Sequence, residues 1–149
     1  MNIFAPVSTI MNRDIFVVSH DDSASLVKSI FERNHIPHLL VMREGNVVGV
    51  ISEPDFRHFL SCVMKRYNNR TLSKSMLNIY KLEEIMNTEF STLEPSDTIS
   101  VALELLDDNI FTALPVIEKG VFVGFISTHH IVKTLIKGKV IDMRRYQTA

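Results

Sequence analysis

The sequence predicts an α+β fold in which one β-α-β-β-α unit is used twice, and three observations lead to it. Residues 10–60 lie over residues 85–135 at a constant offset of 75 (86 minus 11), without a gap. Identical pairs include Ile10/Ile85, Met11/Met86, Asn12/Asn87, Asp22/Asp97, Val41/Val116, Gly45/Gly120, Gly49/Gly124, Ile51/Ile126 and Ser52/Ser127. Within each copy, short apolar runs alternate with stretches of helical periodicity. A single copy of about 50 residues is too small to bury its own sheet face well, so the two should pack on each other with pseudo-two-fold symmetry.

The elements follow in the same order in each copy. A short β-like run comes first, at residues 15–18 and 90–93. Asp22 and Asp97 then stand where an N-cap acceptor is needed, ahead of helices predicted over 23–34 and 98–109. The inward stripes correspond: Leu26, Val27, Ile30 and Phe31 match Val101, Ala102, Leu105 and Leu106 at i, i+4 spacing. Two apolar runs joined by a glycine turn follow, at 38–42 with 47–51 and at 113–117 with 121–126, and each pair predicts a hairpin. A second helix is expected over 54–60 and 128–136. This gives a first motif at 1–60, a linker at 61–81, a second motif at 82–137 and a tail at 138–149. The linker lacks glycine and proline and carries Val63, Met64, Leu72, Met76, Leu77 and Tyr80, so it should be partly helical.

Composition narrows the function classes. A hydrophobic content of 46% excludes a disordered chain. Sixteen basic residues against seventeen acidic ones give a net charge of -1, with no basic stripe for a phosphate backbone, so nucleic acid is not expected as a partner. Cys62 is the only cysteine, which leaves no disulfide or thiolate zinc site within one chain and suits a reducing cytoplasm. No apolar run approaches the roughly 20 residues that span a bilayer, and the start has no basic region followed by an apolar core, so neither membrane insertion nor secretion is expected.

An opening Ile-Met-Asn, a β-run, a capped helix, Leu-x-Val before a glycine turn, and Val-Gly-x-Ile-Ser running into a helix together resemble a CBS (cystathionine-β-synthase-type) motif. Two in tandem are similar to a Bateman module, and the likeness to a stand-alone CBS-domain protein covers most of the chain. The resemblance implies a CBS-domain pair with two clefts, each able to hold an adenosine-containing ligand such as AMP, ADP, ATP or S-adenosylmethionine. In the family pattern Gly-x-x-Ser/Thr-x-x-Asp supplies the ribose and phosphate contacts. It is intact once, and places Gly49, Val50, Ser52 and Asp55 at the first cleft. The chemistry is apt: a glycine lets a ligand approach the strand end, a helix start offers free N–H groups to a phosphate, and a carboxylate can accept from two ribose hydroxyls. By the same resemblance the adenine side of this cleft comes from Asn87, Ser91, Phe111, Thr112 and Ala113 of the other copy.

The second copy departs from the pattern, with His130 where the acid should be. Its cleft, formed by Ser127 and His130 with Ile36, Pro37 and His38, is expected to be degenerate. A neutral histidine makes one hydrogen bond to a ribose where a carboxylate accepts two. Independently of any ligand, Ser52 and Asp55 fit a helix-capping arrangement, and Ser127 with His130 keeps the cap without the acid. The histidines at 35, 38, 129 and 130 do not form a convincing metal set, because adjacent side chains on a helix diverge. Cys62 is expected to be a buried, inert thiol. No nucleophile with a neighbouring base is found, so no catalytic residue and no catalytic cofactor are expected. The expected function is regulatory, with ligand binding changing the packing of the motifs or the docking of a protein target. The alternative is a ligand-free module that dimerises or docks. The resemblance also implies a homodimer in which the helices at 23–34 and 98–109, or those at 54–60 and 128–136, meet.

Overall fold

The computed structural model describes residues 1–108 and 112–137. Phe111, the end of the helix predicted to reach Asn109, and the tail at 138–149 lie outside the described residues. The first copy contains β1 (Val17–Ser19), α1 (Ala24–Asn34), β2 (His38–Arg43), β3 (Asn46–Ser52) and α2 (Glu53–Tyr67). A short helix, α3 (Lys74–Asn78), follows in the linker. The second copy contains α4 (Ile99–Asp107), β4 (Ala113–Glu118), β5 (Val121–Ser127) and α5 (Thr128–Lys137).

Both hairpins close through turns in which the two central residues have positive φ, Glu44 with Gly45 (49° and 81°) and Lys119 with Gly120 (50° and 79°). That twist matches the right-handed twist of the flanking strands, and the glycine adopts it without steric cost. β2 and β3 pair antiparallel from His38 with Ser52 to Arg43 with Asn46, and β1 adds in parallel to β2. β4 and β5 repeat the register from Ala113 with Ser127 to Glu118 with Val121. The β-run predicted at 90–93 is reduced to one parallel bridge, Leu93 with Val116.

The helix starts correct the expectation for the aspartates. Ser23 caps α1 by accepting from the Leu26 N–H at 3.1 Å, and Thr98 caps α4 by accepting from the Val101 N–H at 3.4 Å. Asp22 and Asp97 instead close the preceding turns, accepting from the Ser19 and Glu94 N–H groups. Only part of each predicted stripe faces inward: Val27, Phe31, Ala102 and Leu106 are buried, whereas Leu26 and Val101 are exposed. α2 runs seven residues past its predicted end, to Tyr67, and this carries Cys62 onto an exposed face, against expectation. Among the described residues no helix is long and apolar enough to cross a membrane.

The copies interlock through their opening segments. Val7 sits in the core of the second copy with Leu93, Ile99, Leu114 and Ile126. Leu82 sits in the core of the first with Val27, Leu39, Val41 and Ile51. A third apolar cluster, Leu40, Val50, Ala113 and Phe125, lies between the two hairpins. Asn12 bridges to Phe125 and Asn87 to Val50, so each Ile-Met-Asn segment lies along the other copy's second hairpin strand.

This exchange gives the reason for the repeated glycine. A Cβ at Gly49 would lie 2.4 Å from Met86 Sδ and 2.9 Å from Met86 Cβ, and one at Gly124 would lie 2.5 Å from Met11 Sδ and 3.3 Å from Met11 Cβ. Close packing of a methionine from the other copy, in place of a ligand's approach, excludes a side chain at both positions. Gly49→Ala is expected to destabilise the fold by about 1–3 kcal/mol through overpacking. Gly124→Ala should cost less, because the rigid base of Met11 is farther away. Urea denaturation of Gly49→Ala with and without Met86→Ala checks this, and the double variant should be more stable than the two single effects added together.

Candidate functional site

The β3-to-α2 junction, expected to head the first cleft, does two jobs. Ser52 has extended backbone and caps α2, its Oγ accepting from the Asp55 N–H at 3.2 Å. Glu53, the first helical residue, is held by Arg57 in an i, i+4 pair. The Asp55 side chain is exposed and its carboxylate has no hydrogen-bond or ion-pair partner among the described residues. A free carboxylate therefore stands at the start of a 15-residue helix whose first N–H groups are already used: Glu53 N–H donates to Pro37 O at 2.9 Å, Pro54 has none, and Asp55 N–H donates to Ser52 Oγ, so the expected free N–H groups for a phosphate are not there.

The other copy closes on this junction. The N–H of Val50 donates to Asn87 O at 3.0 Å and the N–H of Asn87 donates back to Val50 O at 2.8 Å. Asn87 Oδ1 accepts from the Glu89 N–H, as Asn12 Oδ1 does from the Asp14 N–H, so this repeated asparagine shapes a turn. Val50 shares an apolar cluster with Ala113, against which Phe90 also packs, and Ser91 follows half-buried. The structure thus brings together Val50, Asn87 and Ala113 around the junction, with Thr112 next in chain. Phe111 is outside the described residues. Gly49 is buried, with Met86 packed where a Cβ would sit.

The second cleft contains a cavity of about 290 Å³, at the low end of the roughly 300–1,000 Å³ usual for small-molecule sites. Ile36, Pro37, His38, Ser127 and His130, all expected there, line it. Ser127 caps α5 through the His130 N–H at 3.1 Å, so the cap does survive the loss of the acid. His130 is not free, because its Nε2 hydrogen-bonds the carbonyl of Ile10. That bond ties the ring to the opening segment. Sequence reasoning missed Asn12, Phe16, His129 and Lys133, which also line the cavity. Two could have been found by carrying Asn87 and Ser91 back by the repeat offset of 75, which lands on Asn12 and Phe16.

His38, on the wall of the second-cleft cavity, also reaches Thr112, a residue expected at the first cleft: the residue is 7% exposed, its ring packs against Phe125 with centroids 5.6 Å apart, and Nε2 hydrogen-bonds to Thr112 Oγ1 at 2.8 Å. Burial lowers its pKa from 6.5 to about 4; His129 adds to the effect and the Asp55 carboxylate opposes it. The imidazole is accordingly neutral at pH 7. No cluster of three potential metal-binding side chains occurs among the described residues.

The CBS domain family matches this chain twice, at residues 7–62 and 82–137. The chain belongs to the CBS domain family. CBS domains are in general regulatory and not catalytic. The chain is 26% identical over 124 residues to the uncharacterised protein MJ1225 of Methanocaldococcus jannaschii, covering 83% of this chain and 44% of that protein. It is 24% identical over 113 residues to a homoserine O-acetyltransferase of Methanosarcina acetivorans, covering 75% of this chain and 18% of the enzyme. The chain thus spans less than half the length of these curated relatives. Among solved structures, the CBS domain pair of protein MJ0100 in complex with 5′-methylthioadenosine and S-adenosyl-L-methionine superposes with a TM-score of 0.68 at 22% identity, covering 90% of this chain and 98% of that one. CBSX2 in complex with AMP superposes with a TM-score of 0.69 at 20% identity, covering 91% and 99%. At these identities the likeness establishes the fold of a CBS domain pair.

Proposed function

We propose that the chain is a regulatory module that binds an adenosine-containing ligand, AMP, ADP, ATP or S-adenosylmethionine, in the first cleft. The observation that carries this reading is the unpartnered Asp55 carboxylate beside the Ser52 helix start. The carboxylate suits a ribose diol, and the positive end of the α2 dipole favours a nearby phosphate. The adenosine ligands named for MJ0100 and CBSX2 support it. Ligand binding would act by favouring one packing of the two copies over another, which requires different affinities for the two arrangements. A cytoplasmic setting accords with a single, unpaired Cys62.

The exposed apolar side chains favour a second, compatible role in dimerisation or docking. Leu26 and Val101 occupy matching positions on α1 and α4, and Val132, Leu135 and Ile136 are exposed on α5. A homodimer or a protein target would cover them. A thermal-shift screen separates ligand binding from docking alone. A ligand at 100 times its dissociation constant adds about 2.7 kcal/mol, which for a chain of this size corresponds to a rise of roughly 5–10 °C in Tm. If none of the four ligands raises Tm, the module acts by dimerising or docking without a ligand.

A further inference from the structure

The net charge of -1 conceals a division along the chain. Residues 56–82 carry six basic side chains, Arg57, Lys65, Arg66, Arg70, Lys74 and Lys81, and no aspartate or glutamate, whereas residues 83–118 carry nine acids and no lysine or arginine. Blocks of one sign on a folded domain set up a field that steers what approaches it. The basic block supplies most of α2 and all of α3, and α3 packs beside α1, where Ser25 Oγ donates to Asn78 Oδ1 at 2.7 Å. Alongside these two helices lies a groove of about 420 Å³ whose walls include Leu26, Lys28, Arg33, Leu72 and Lys74. The one acid in its lining, Glu32, is held by Lys28 at 2.6 Å, and Arg33 and Lys74 have no ion-pair partner among the described residues.

The acidic block supplies α4. Val101, Glu104 and the C-cap Asp108 stand at i, i+3 and i+7, on one stripe of that helix, and all three are exposed. The repeat offset of 75 lays them over Leu26, Ser29 and Arg33 of α1. The apolar position is thus kept in both copies while the charge beside it changes sign. Two chains meeting with like copies together would set a basic face on a basic face and an acidic face on an acidic one, which is costly. With unlike copies together, each basic face meets an acidic face and Leu26 meets Val101. A two-fold axis then makes the contact twice, because the first copy of each chain takes the second copy of the other. We propose that two chains associate head to tail, the α1–α3 groove of one receiving the α4 face of the other. This rests on the docking role proposed for Leu26 and Val101 and is independent of the ligand reading. A second copy is the occupant the charges favour, since the chain itself carries the complementary face at the position equivalent by the repeat.

Sedimentation equilibrium of the full chain should show a dimer at low salt that weakens in about 1 M salt, where the screening length falls to about 3 Å. Arg33→Gln with Lys74→Gln removes two cations from each of the two contacts, and four exposed pairs together correspond to a rise in the dimer dissociation constant of about 10-fold. Arg33→Glu with Lys74→Glu should weaken it further, as should Glu104→Lys with Asp108→Lys, and an equimolar mixture of these two reversed chains should recover a dimer. The glutamine variant carries the result if a reversed chain does not fold. Orientation is read with a short bismaleimide in a Cys62→Ser background. Leu26→Cys chains mixed with Val101→Cys chains should link to each other, and neither should link to itself. Self-linking of each, or a dimer without the mixed link, overturns the head-to-tail arrangement while association of the chain stands. A dimer indifferent to salt and to charge reversal overturns the proposal as well. If the chain stays monomeric at low salt, the second copy is excluded, and binding of a polyglutamate peptide that is lost in Arg33→Glu with Lys74→Glu would assign the groove to an acidic partner protein instead.

Discussion

Replacing Asp55 with alanine is expected to weaken AMP binding about 100-fold while leaving the fold intact. The carboxylate can accept from both hydroxyls of a ribose, and two charge-assisted hydrogen bonds at about 1.5 kcal/mol each amount to about 3 kcal/mol, or roughly two orders of magnitude in Kd. The fold should tolerate the change because the cap of α2 uses the Asp55 backbone N–H, which alanine keeps. What alanine does remove is an acidic side chain from the first turn, worth about 0.3–1 kcal/mol through the helix dipole. Calorimetric titration of Asp55→Ala beside wild type, with urea denaturation of both, separates the two effects. Unchanged AMP affinity in Asp55→Ala, with binding abolished by substituting His130, would move the site to the second cleft. Asp55→Asn refines the result, since the amide keeps the shape but loses the charge and half of the accepting capacity.

The duplication made most of the fold legible. Gly45 and Gly120 marked the hairpin turns, and the Ser52 and Ser127 caps followed from their place between an apolar strand and a helix. The errors arose where tertiary context chose between local alternatives. Asp22 and Ser23 are both good caps, and the choice fell to Ser23 because Asp22 was already needed by the Ser19 turn. Leu26 and Val101 fit an inward stripe by spacing, but each packs less deeply than the neighbouring Val27 or Ala102 on a sheet that covers only one side of the helix. The role of Gly49 was hidden because its neighbour Met86 is 37 residues away in a different copy (86 minus 49). The same holds at the clefts. Motif spacing points to Ser52 and Asp55 because both are local to one junction, whereas the bonds from His38 to Thr112 and from His130 to Ile10 cross between copies and leave no periodic trace.

The fold is expected to lose about 3 kcal/mol of stability between pH 7 and pH 4 through His38 alone. Its pKa is 6.5 when exposed and falls to about 4 in the folded chain, chiefly through burial. The folded state therefore holds the ring neutral where the unfolded chain would protonate it. Stability from this source is complete above pH 6.5, declines as pH falls through the window down to about 4, and is gone below it; at 1.36 kcal/mol per pH unit the full span gives the figure above. Against a typical total of about 5–15 kcal/mol this is a large fraction. His38→Ala supplies the control, because alanine is what the second copy carries at the equivalent position, Ala113. Carboxylates titrating below pH 5 contribute almost equally to both proteins, so the difference between their urea-denaturation profiles isolates the histidine. The wild-type profile should be the steeper between pH 6.5 and 4, and parallel profiles would show that the ring is hydrated in the folded chain. His129 and Asp55 sharpen the assignment, since they pull the ring in opposite directions. Removing the Asp55 carboxylate should lower the His38 pKa further and steepen the acid loss, and removing His129 should make it shallower.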